Sequence, residues 1–301
     1  MSLLVTGTIG IDTVITPTGR ADDVLGGSAA YFTLAASLFS PVRVVAAVGD
    51  DFPPSFRAML TSDRIDLRGL ETRAGSRTFR WAGKYLENMN QRETLRTDLN
   101  VVAEAPPAIP DAFRDSRVVF LANTHPAIQR HMREQLPAAR LVVCDTMDLW
   151  IHTTRDELMK TLAVVDGVII NDSEALQLTG QSNPITAGRE VLRLGPRFVV
   201  VKKGEHGAVL VTPEGVTVVP AYPSERVVDP TGAGDSFAGG MIGYLAAKDS
   251  FHYAALRSAL ARATVVASFT IEDFSVRRLR DVTCEELDRR VAEFTRMLAI
   301  G

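Results

Sequence analysis

A run of small residues in the last third of the chain combines a carboxylate with backbone groups that can bind an anion. Segment 229–241 reads DPTGAGDSFAGGM and leads into an amphipathic stretch that ends near Leu245. The first turn of a helix exposes unpaired N–H groups and a partial positive charge, and glycines let an anion approach both. The amides of Gly232, Ala233 and Gly234 are therefore predicted to stabilise negative charge.

Asp235 is unusual in an anion site, because a carboxylate repels a bound phosphate. General-base catalysis on an alcohol explains its position, since the carboxylate would accept the hydroxyl proton while the amides stabilise developing charge. The alternative is that Asp235 only caps the helix or complements its dipole, as Asp in a first turn often does. The segment therefore predicts either phosphate transfer to a hydroxyl or an ordinary helix start.

The composition is that of a globular protein with small-molecule partners. Of 301 residues, 46% are hydrophobic and 23% are charged, which is enough for a large buried core. The net charge of −3 argues against nucleic-acid binding. Cys144 and Cys284 are in no metal-ligand or disulfide pattern. The sequence has neither a signal-peptide pattern nor a run long enough to span a membrane, so we expect a cytoplasmic protein with no membrane partner.

The elements around segment 229–241 alternate in type along the chain. Short β-branched runs are separated by amphipathic stretches, which is typical of an α/β fold whose mostly parallel sheet is covered by helices on both faces. The runs are 3–6, 42–48, 118–121, 141–144, 167–170 and 198–202, and the amphipathic stretches include 29–39, 128–135 and 189–194.

Two polar stretches, 12–23 and 72–100, interrupt this rhythm. Both lack a helical stripe, and the second alternates with period two around Phe79-Arg80-Trp81 and Thr94-Leu95-Arg96. Such alternation predicts half-exposed strands in a separate small sheet, which would form a lid. The aromatic rings of Phe79, Trp81 and Tyr85 would then stack on a substrate. The alternatives are ordinary surface hairpins and aromatic packing within the sheet.

Polar residues and glycines near the first strand predict a substrate site. Gly7-Thr8-Ile9-Gly10-Ile11-Asp12 lacks the third glycine of a dinucleotide fingerprint and places a carboxylate where a pyrophosphate would sit. Asp12 instead suits hydroxyl recognition, or it begins a loop turn. The pair Gly26-Gly27 precedes a helical pattern and permits close ligand approach, or it forms a plain turn capped by Ser28.

A second pair of candidates follows the run 167–170. Asn171 and Glu174 are three residues apart, so both lie on one face of a helix, where they can hold magnesium-bound waters. The alternative is a helix start in which Asp172 or Ser173 caps and Glu174 complements the dipole.

A glycine-rich turn ends the run 198–202. Lys202-Lys203-Gly204-Glu205-His206-Gly207 offers a cation and flexible backbone, as a nucleotide phosphate site requires, but it is not a Walker motif. A β-hairpin turn between 198–202 and 208–212 explains the same residues. The two interpretations are compatible.

Together these segments resemble the ribokinase-like carbohydrate kinases, the PfkB family. The resemblance rests on the run Asp-Pro-Thr-Gly-Ala-Gly-Asp-Ser-Phe, which is highly specific, and on weaker motifs in the matching order: Asp12, Gly26-Gly27, Asn171-x-x-Glu174 and Lys202-x-Gly204-x-x-Gly207. It spans nearly the whole chain, from Gly7 to the C-terminal helices.

The resemblance implies a three-layer αβα core with a mostly parallel central sheet and a small β-sheet lid over the substrate. The core would comprise residues 1–11, 25–71 and 101–301, and the lid residues 12–24 and 72–100. It further implies an ATP- and Mg²⁺-dependent kinase that phosphorylates a hydroxyl of a small polyhydroxylated substrate, with a sugar as the first expectation. Some relatives dimerise through the lid, so a homodimer is a further expectation.

The resemblance also implies roles for individual residues. Asp235 would be the base, and Gly232, Ala233 and Gly234 would form the anion hole. Asn171 and Glu174 would organise Mg²⁺ through water, and Asp229 with Thr231 would help to bind a monovalent cation. The implied nucleotide contacts are Lys202, Gly204, Glu205, Gly207 and Thr231, and the substrate contacts are Asp12, Gly26, Gly27, Tyr31, Phe79, Trp81, Asn123 and Asp235.

One position departs from the family pattern. Many members have an Asn after the paired glycines, where this chain has Tyr31. A bulky phenol weakens a simple ribose or fructose assignment, so a nucleoside and an inositol remain alternative substrates. Asn123 and Asp145, each at the end of a predicted strand, would add hydroxyl contacts. A non-catalytic sugar and nucleotide sensor is the competing class, and the missing glycine fingerprint argues against a dehydrogenase.

Overall fold

The computed structural model describes residues 2–299 as two β-sheets with eleven helices. The predicted core begins at residue 1 and ends at residue 301, and these ends lie outside the described residues. The strands are β1 (Leu3–Thr6), β2 (Gly10–Thr16), β3 (Gly19–Gly26), β4 (Val42–Gly49), β5 (Ile65–Arg73), β6 (Phe79–Tyr85), β7 (Arg92–Asp98), β8 (Val118–Leu121), β9 (Leu141–Cys144), β10 (Gly167–Asn171), β11 (Phe198–Lys202), β12 (Ala208–Val211) and β13 (Val216–Val219). The helices are α1 (Ser28–Ser37), α2 (Pro54–Met59), α3 (Pro126–Glu134), α4 (Asp148–Thr153), α5 (Arg155–Leu162), α6 (Asp172–Thr179), α7 (Pro184–Leu192), α8 (Ala233–Lys248), α9 (Tyr253–Thr270), α10 (Arg277–Arg280) and α11 (Cys284–Leu298).

The larger sheet has nine strands in the order β13-β12-β11-β10-β9-β8-β1-β4-β5. Neighbouring strands are parallel from β11 to β5, and β12 and β13 pair antiparallel at one edge. Every residue of β1, β8 and β9 is buried, as expected for strands covered on both faces. The predicted α/β fold class is confirmed, and all six predicted runs fall within strands.

Helix boundaries differ from the sequence expectation at α7. The amphipathic stretch 189–194 marks only the end of this helix, which begins five residues earlier at Pro184. The side chain of Asn183 accepts hydrogen bonds from the N–H groups of Ile185 and Thr186, and Pro184 occupies the first turn. An Asn cap followed by Pro is a start signal that is independent of hydrophobic period.

Two apolar clusters fill the space on either side of the larger sheet. One lies under α1, α8 and α9 and contains the stacked rings of Phe32 and Phe120, whose centroids are 4.3 Å apart. The other lies under α3, α5, α6 and α7. A Cβ on Gly239 would lie 2.5 Å from the backbone oxygen of Phe32, so glycine lets α8 pack closely on α1. This contact fixes the position of the α8 N-terminus.

The smaller sheet, called here the lid sheet, has the order β3-β2-β6-β7. Strands β2 and β6 are parallel, and the other two pairs are antiparallel. These strands lie largely in the segments whose polar alternation predicted a lid. The division of the chain into core and lid remains a prediction. Among residues 2–299, no helix is both long and apolar enough to cross a membrane.

Candidate active site

The turn before α8 is held in one conformation by close packing. Gly232 is the N-cap residue and has φ 74°, and a Cβ at this position would lie 2.3 Å from the ring of Tyr31. The carboxylate of Asp229 accepts hydrogen bonds from the N–H groups of Thr231, at 2.8 Å, and Ser275, at 3.0 Å. Glycine is therefore required both for the left-handed backbone and for the space that Tyr31 occupies.

The ammonium group of Lys202 lies at the start of α8. A Cβ on Gly234 would be 2.6 Å from Lys202 Nζ, which places the cation against the first turn of the helix. Lys202 is the last residue of β11, so the carboxyl end of this strand positions the charge. The helix N-terminus and the ammonium together favour an anion here.

Asp235 lies in this first turn and is half-buried. Burial raises the pKa of its carboxyl, while the positive charges of Lys202 and Arg92 act in the opposite direction. A carboxylate in such surroundings accepts a proton more readily than an exposed one, because its charged form is less well solvated. The arrangement suits a general base beside an anion site.

Asn171 and Glu174 form a reciprocal cap at the start of α6. Asn171 Oδ1 accepts a hydrogen bond from the Glu174 N–H, and Glu174 Oε2 accepts one from the Asn171 N–H, both at 2.8 Å. The cap is thus Asn171 itself rather than Asp172 or Ser173. Burial raises the pKa of Glu174 to about 7, although the charge of Lys202 lowers it.

This cap fits a magnesium ion held through water. Glu174 is buried and keeps its second carboxylate oxygen, Oε1, outside the reciprocal pair. Among residues 2–299, no group of three or more His, Cys, Asp or Glu side chains is placed to ligate a metal directly. Mg²⁺ retains much of its hydration and takes oxygen ligands, so a single buried carboxylate suits an ion that keeps its waters.

Asp12 and Tyr31 bring buried polar atoms close to the glycines at 26 and 232. The carboxylate of Asp12 lies against Gly26, where a Cβ would be 1.9 Å from Asp12 Oδ2. Burial, followed by the charges of Asp229 and Asp235, raises the pKa of Asp12 to about 8. Asp12 Oδ1 and Tyr31 Oη are buried with no hydrogen-bond partner among the described residues. Such atoms are costly unless a ligand pairs with them.

The inner face of the lid sheet carries the predicted aromatic residues. Trp81 lies opposite Asp12 in the β2–β6 register, and its ring covers Gly83, where a Cβ would be 2.1 Å from the indole. Tyr85 is buried and its Oη accepts a hydrogen bond from Thr231 Oγ1 at 3.3 Å. Phe79 packs against Gly10. The face that bears Trp81 and Tyr85 therefore turns towards Asp12 and the α8 turn.

The glycine-rich turn after β11 forms a β-hairpin turn, which is one of the two compatible interpretations of its sequence. Residues Gly204–His206 form a short 3-10 turn, and β12 returns antiparallel to β11. Gly207 has φ 86°, and a Cβ there would lie 2.0 Å from Val219 O. Glu205 Oε1 accepts a hydrogen bond from Asn90 Nδ2 at 3.1 Å. The tip of the β6–β7 hairpin thus contacts the predicted nucleotide turn.

Asn123 and Asp145 differ in whether their side chains have hydrogen-bond partners. Asn123 Oδ1 accepts a hydrogen bond from Trp150 Nε1 at 2.9 Å, and its amide nitrogen lies 3.1 Å from the sulfur of Met147. Asp145 is buried and its Oδ1 has no partner among the described residues. Burial and the charge of Asp235 raise the pKa of Asp145. Asp145 therefore lies within the field of the candidate base.

Three residues at the site escaped the sequence analysis. They are Arg92 and Asn90 on the β6–β7 hairpin and Trp150 on α4. Arg92 lies opposite Tyr85 in the strand register, which sequence alternation alone does not determine. Trp150 follows Asp145 by five residues, and an aromatic residue just beyond a strand-end carboxylate was the available signal.

Comparison with known proteins agrees with this geometry. A model of the pfkB family of carbohydrate kinases matches residues 18–281. The cytidine kinase of Thermococcus kodakarensis is 32% identical over 248 residues, which cover 80% of this chain and 87% of that protein. The nucleoside kinase of Methanothermobacter thermautotrophicus is 28% identical over 296 residues, with 91% and 87% covered.

A solved structure shares the fold at low sequence identity. It is the aminoimidazole riboside kinase of Salmonella enterica, complexed with aminoimidazole riboside and an ATP analog. The TM-score is 0.76 at 21% identity, over 97% of this chain and 100% of that chain. The likeness confirms the ribokinase-like architecture that the motifs predicted.

Proposed function

This chain belongs to the pfkB family of carbohydrate kinases, and we propose that it transfers the γ-phosphate of ATP to a hydroxyl group of a nucleoside. The observation that carries the proposal is the combination of Asp235 with an anion site at the start of α8. Lys202 Nζ lies against Gly234 in the same helical turn. A base and a positive site so close together favour attack by an alcohol on a phosphoryl group.

The reaction needs one proton acceptor and no covalent intermediate. The substrate hydroxyl oxygen forms a bond to the γ-phosphorus, the bond from that phosphorus to the bridging oxygen breaks, and ADP leaves with the electron pair. Asp235 takes the hydroxyl proton. The amides of Gly232, Ala233 and Gly234, with Lys202, stabilise the charge that develops on the phosphoryl oxygens.

ATP and Mg²⁺ fit different parts of the site. Lys202 and the turn from Gly204 to Gly207 would hold the nucleotide, and Asn171 with Glu174 would hold hydrated Mg²⁺. The ion, when bound, neutralises charge on the phosphate oxygens. Glu174 suits this role because its pKa of about 7 leaves a substantial fraction ionised near neutral pH, and a nearby cation would increase that fraction.

Two observations favour a nucleoside over a free sugar. Two relatives that match most of the chain are a cytidine kinase and a nucleoside kinase. On the lid sheet, the indole of Trp81 lies on the same face as Asp12, so it offers a stacking surface beside a hydroxyl-binding carboxylate. The unpartnered Asp12 Oδ1 and Tyr31 Oη would bind ribose hydroxyls, and Trp81 would contact the base.

Two further predictions accompany the proposed function, one about a monovalent cation and one about the oligomeric state. A monovalent cation beside Asp229 and Thr231 is one of them, although both Asp229 oxygens already accept backbone hydrogen bonds. Activity in potassium compared with sodium buffers tests it. A homodimer through the lid sheet is the other, and sedimentation of the purified protein tests it.

An ADP-release assay over nucleosides and free pentoses tests the proposal. We expect a nucleoside to give the highest kcat/KM, and Asp235→Asn to lower kcat by about 10²–10⁴-fold, the usual contribution of a general base. The matched control is Asp249→Asn at the other end of α8, where the exposed side chain pairs with Arg140 at 2.8 Å. Asn tolerates the positive φ of 49° at this position.

Three results would contradict the proposal. Equal turnover by wild type and Asp235→Asn would remove the base from the mechanism. Higher kcat/KM for ribose than for every nucleoside would make a sugar the substrate. Binding of nucleoside and ATP without release of ADP would support the sensor class instead.

A further inference from the structure

Asn123 lies just beyond the carboxyl end of β8, beside the glycine pair at 26 and 27. The hydroxyl of Ser28, which follows Gly27, lies 3.5 Å from the backbone oxygen of Asn123. The carboxylate of Asp12 lies against Gly26, the other glycine of the pair. Asn123 is half-buried, whereas Ser28 and Asp12 are buried. Asn123 and Asp12 thus flank the same glycine pair, one from the core and one from the lid sheet.

One hydrogen bond sets the orientation of the Asn123 amide. The indole N–H of Trp150 donates to Asn123 Oδ1 at 2.9 Å. An indole nitrogen can only donate, so the amide oxygen, and not the amide nitrogen, must face it. The sulfur of Met147 lies 3.1 Å from the amide nitrogen and is only a weak acceptor. The indole therefore engages the oxygen of the amide and leaves the nitrogen on the other side.

The indole of Trp150 is itself held in place by packing. Trp150 is only 8% exposed, and the ring of His125 packs edge-on against it with 5.2 Å between the ring centroids. His125 caps α3, where its Nδ1 accepts a hydrogen bond from the Ala127 N–H at 3.2 Å. The N–H of Trp150 therefore cannot turn to another acceptor unless this packing is broken.

The part of the Asn123 amide that remains for a ligand is a donor. Among residues 2–299, Asn123 Nδ2 forms no hydrogen bond to an oxygen acceptor. A sugar hydroxyl could pair with either end of an amide, because it both donates and accepts. A carbonyl oxygen or an unprotonated ring nitrogen of a nucleobase can only accept. An amide of fixed orientation therefore discriminates between bases, and not between sugar hydroxyls.

We propose that Asn123 donates a hydrogen bond to an acceptor atom on the base of the nucleoside substrate, and that Trp150 is the positioning residue that fixes the amide for this contact. The inference rests on the proposed function and deepens it, because it assigns the base specificity of the same site. Trp81, opposite Asp12 in the strand register, would contact the face of the base while Asn123 contacts its edge. Bases that present an N–H at this edge are then disfavoured, because two donors would face each other.

Nucleoside affinities of Asn123→Asp and Trp150→Phe test this inference, measured by calorimetry without ATP and compared with steady-state kcat and KM. Asn123→Asp keeps an acceptor for the indole but turns the donor into a second acceptor. We expect Kd and KM for the preferred nucleoside to rise about 10–100-fold, because the base acceptor loses its partner and faces a carboxylate. The value of kcat should stay within a few-fold of wild type, since the contact is made equally before and during phosphoryl transfer.

Trp150→Phe removes the indole N–H and keeps an aromatic ring against His125. The Asn123 amide can then rotate, and we expect Kd and KM to rise about 3–10-fold at unchanged kcat. In the Asn123→Asp background the same replacement should add nothing, because the two oxygens of a carboxylate are equivalent and no orientation remains to be fixed. Leu149→Ala, at an exposed position of α4, is the control and should leave Kd within twofold.

The outcomes separate this inference from the proposed function. A nucleoside Kd within twofold of wild type in Asn123→Asp overturns the base contact, because a hydroxyl partner would simply donate to the new carboxylate. A full effect of Trp150→Phe in the Asn123→Asp background overturns the positioning role. Nucleoside binding without ADP release overturns only the kinase proposal, whereas a wild type that binds no nucleoside overturns both. Asn123 is half-buried, so Asn123→Asp keeps the test decisive even if Trp150→Phe lowers the melting temperature.

Discussion

The α8 turn and the lid sheet both contribute to the candidate site, but they are held in place differently. The turn is fixed by backbone hydrogen bonds to Asp229 and by the contact between Gly232 and the ring of Tyr31. The β6–β7 hairpin presents an exposed outer strand, and its tip reaches the core through the hydrogen bond of Asn90 to Glu205. Close packing fixes the α8 turn, whereas a polar contact positions the tip of the hairpin.

This difference has an energetic meaning. Each hydrogen bond between the lid sheet and the core stabilises by only about 0.5–1.5 kcal/mol, because water competes for the same groups. Opening the tip of the hairpin is therefore inexpensive. Deforming the packed turn costs more, since a buried ring and a helix must move with it.

Gly232→Ala gives the largest expected effect. Alanine would have to keep the left-handed backbone conformation of Gly232, with φ 74°. Its Cβ would also lie only 2.3 Å from the ring of Tyr31. We expect the free energy of unfolding to fall by about 3 kcal/mol, from about 1–2 kcal/mol for the backbone and about 1–3 kcal/mol for overpacking. Urea denaturation measures this loss, and an ADP-release assay should show a matching loss of phosphoryl transfer.

Gly180→Ala is the matched control for this substitution. Gly180 caps α6 with φ 73°, almost the same as Gly232, but a Cβ there would meet no atom within 4 Å. Only the backbone cost of about 1–2 kcal/mol should remain. If both variants lose the same stability, close packing does not distinguish the α8 turn, and the contrast with the lid sheet disappears.

The same contrast explains what the sequence could predict. The α8 turn is encoded by adjacent residues, so a helix start with Gly232, Gly234 and Asp235 in or before its first turn could be predicted from spacing alone. The nine-stranded sheet was also largely predictable, because its buried strands are continuous apolar runs. Arg92 could not be identified, since its position opposite Tyr85 depends on strand register and on an irregularity between Ala82 and Gly83. Neither feature leaves a pattern in the sequence.

Asp12→Asn should change how stability depends on pH, by a smaller amount. The pKa of Asp12 is about 8 in the folded protein and about 3.8 in the unfolded chain. Folding therefore takes up a proton between these values, and the wild type loses stability as pH rises through this range. Asp12→Asn removes this proton uptake. The slope of the free energy of unfolding against pH should therefore become less negative by about 1.4 kcal/mol per pH unit between pH 5 and 7. Urea denaturation at several pH values measures the slope.

Asp22→Asn is the control on the adjacent strand of the lid sheet. Its exposed carboxyl pairs with Arg20 at 2.7 Å, and this hydrogen bond lowers its pKa, so its titration is complete below pH 5. The slope between pH 5 and 7 should match that of wild type. An unchanged slope in Asp12→Asn would mean that Asp12 is ionised in the folded protein. The lid sheet would then contribute no buried, protonated carboxyl to the site.

The smallest effect is expected at the contact between the hairpin tip and the turn after β11. Asn90→Ala removes the donor to Glu205 Oε1, and a hydrogen bond to an exposed carboxylate is worth about 0.5–1.5 kcal/mol. We expect protease cleavage of the hairpin to become several-fold faster. Glu87→Ala, at an exposed position in the same loop, is the control and should behave as wild type.

A double-mutant cycle with Glu205→Ala tests whether this contact holds the hairpin tip against the turn after β11. If the two residues act through their mutual hydrogen bond, the double variant should be cleaved no faster than either single variant. Additive rates would show that the residues act independently. The hydrogen bond from Thr231 to Tyr85 would then be a second, separate contact of this hairpin with the core, and Tyr85→Phe should produce a larger increase in cleavage than Asn90→Ala.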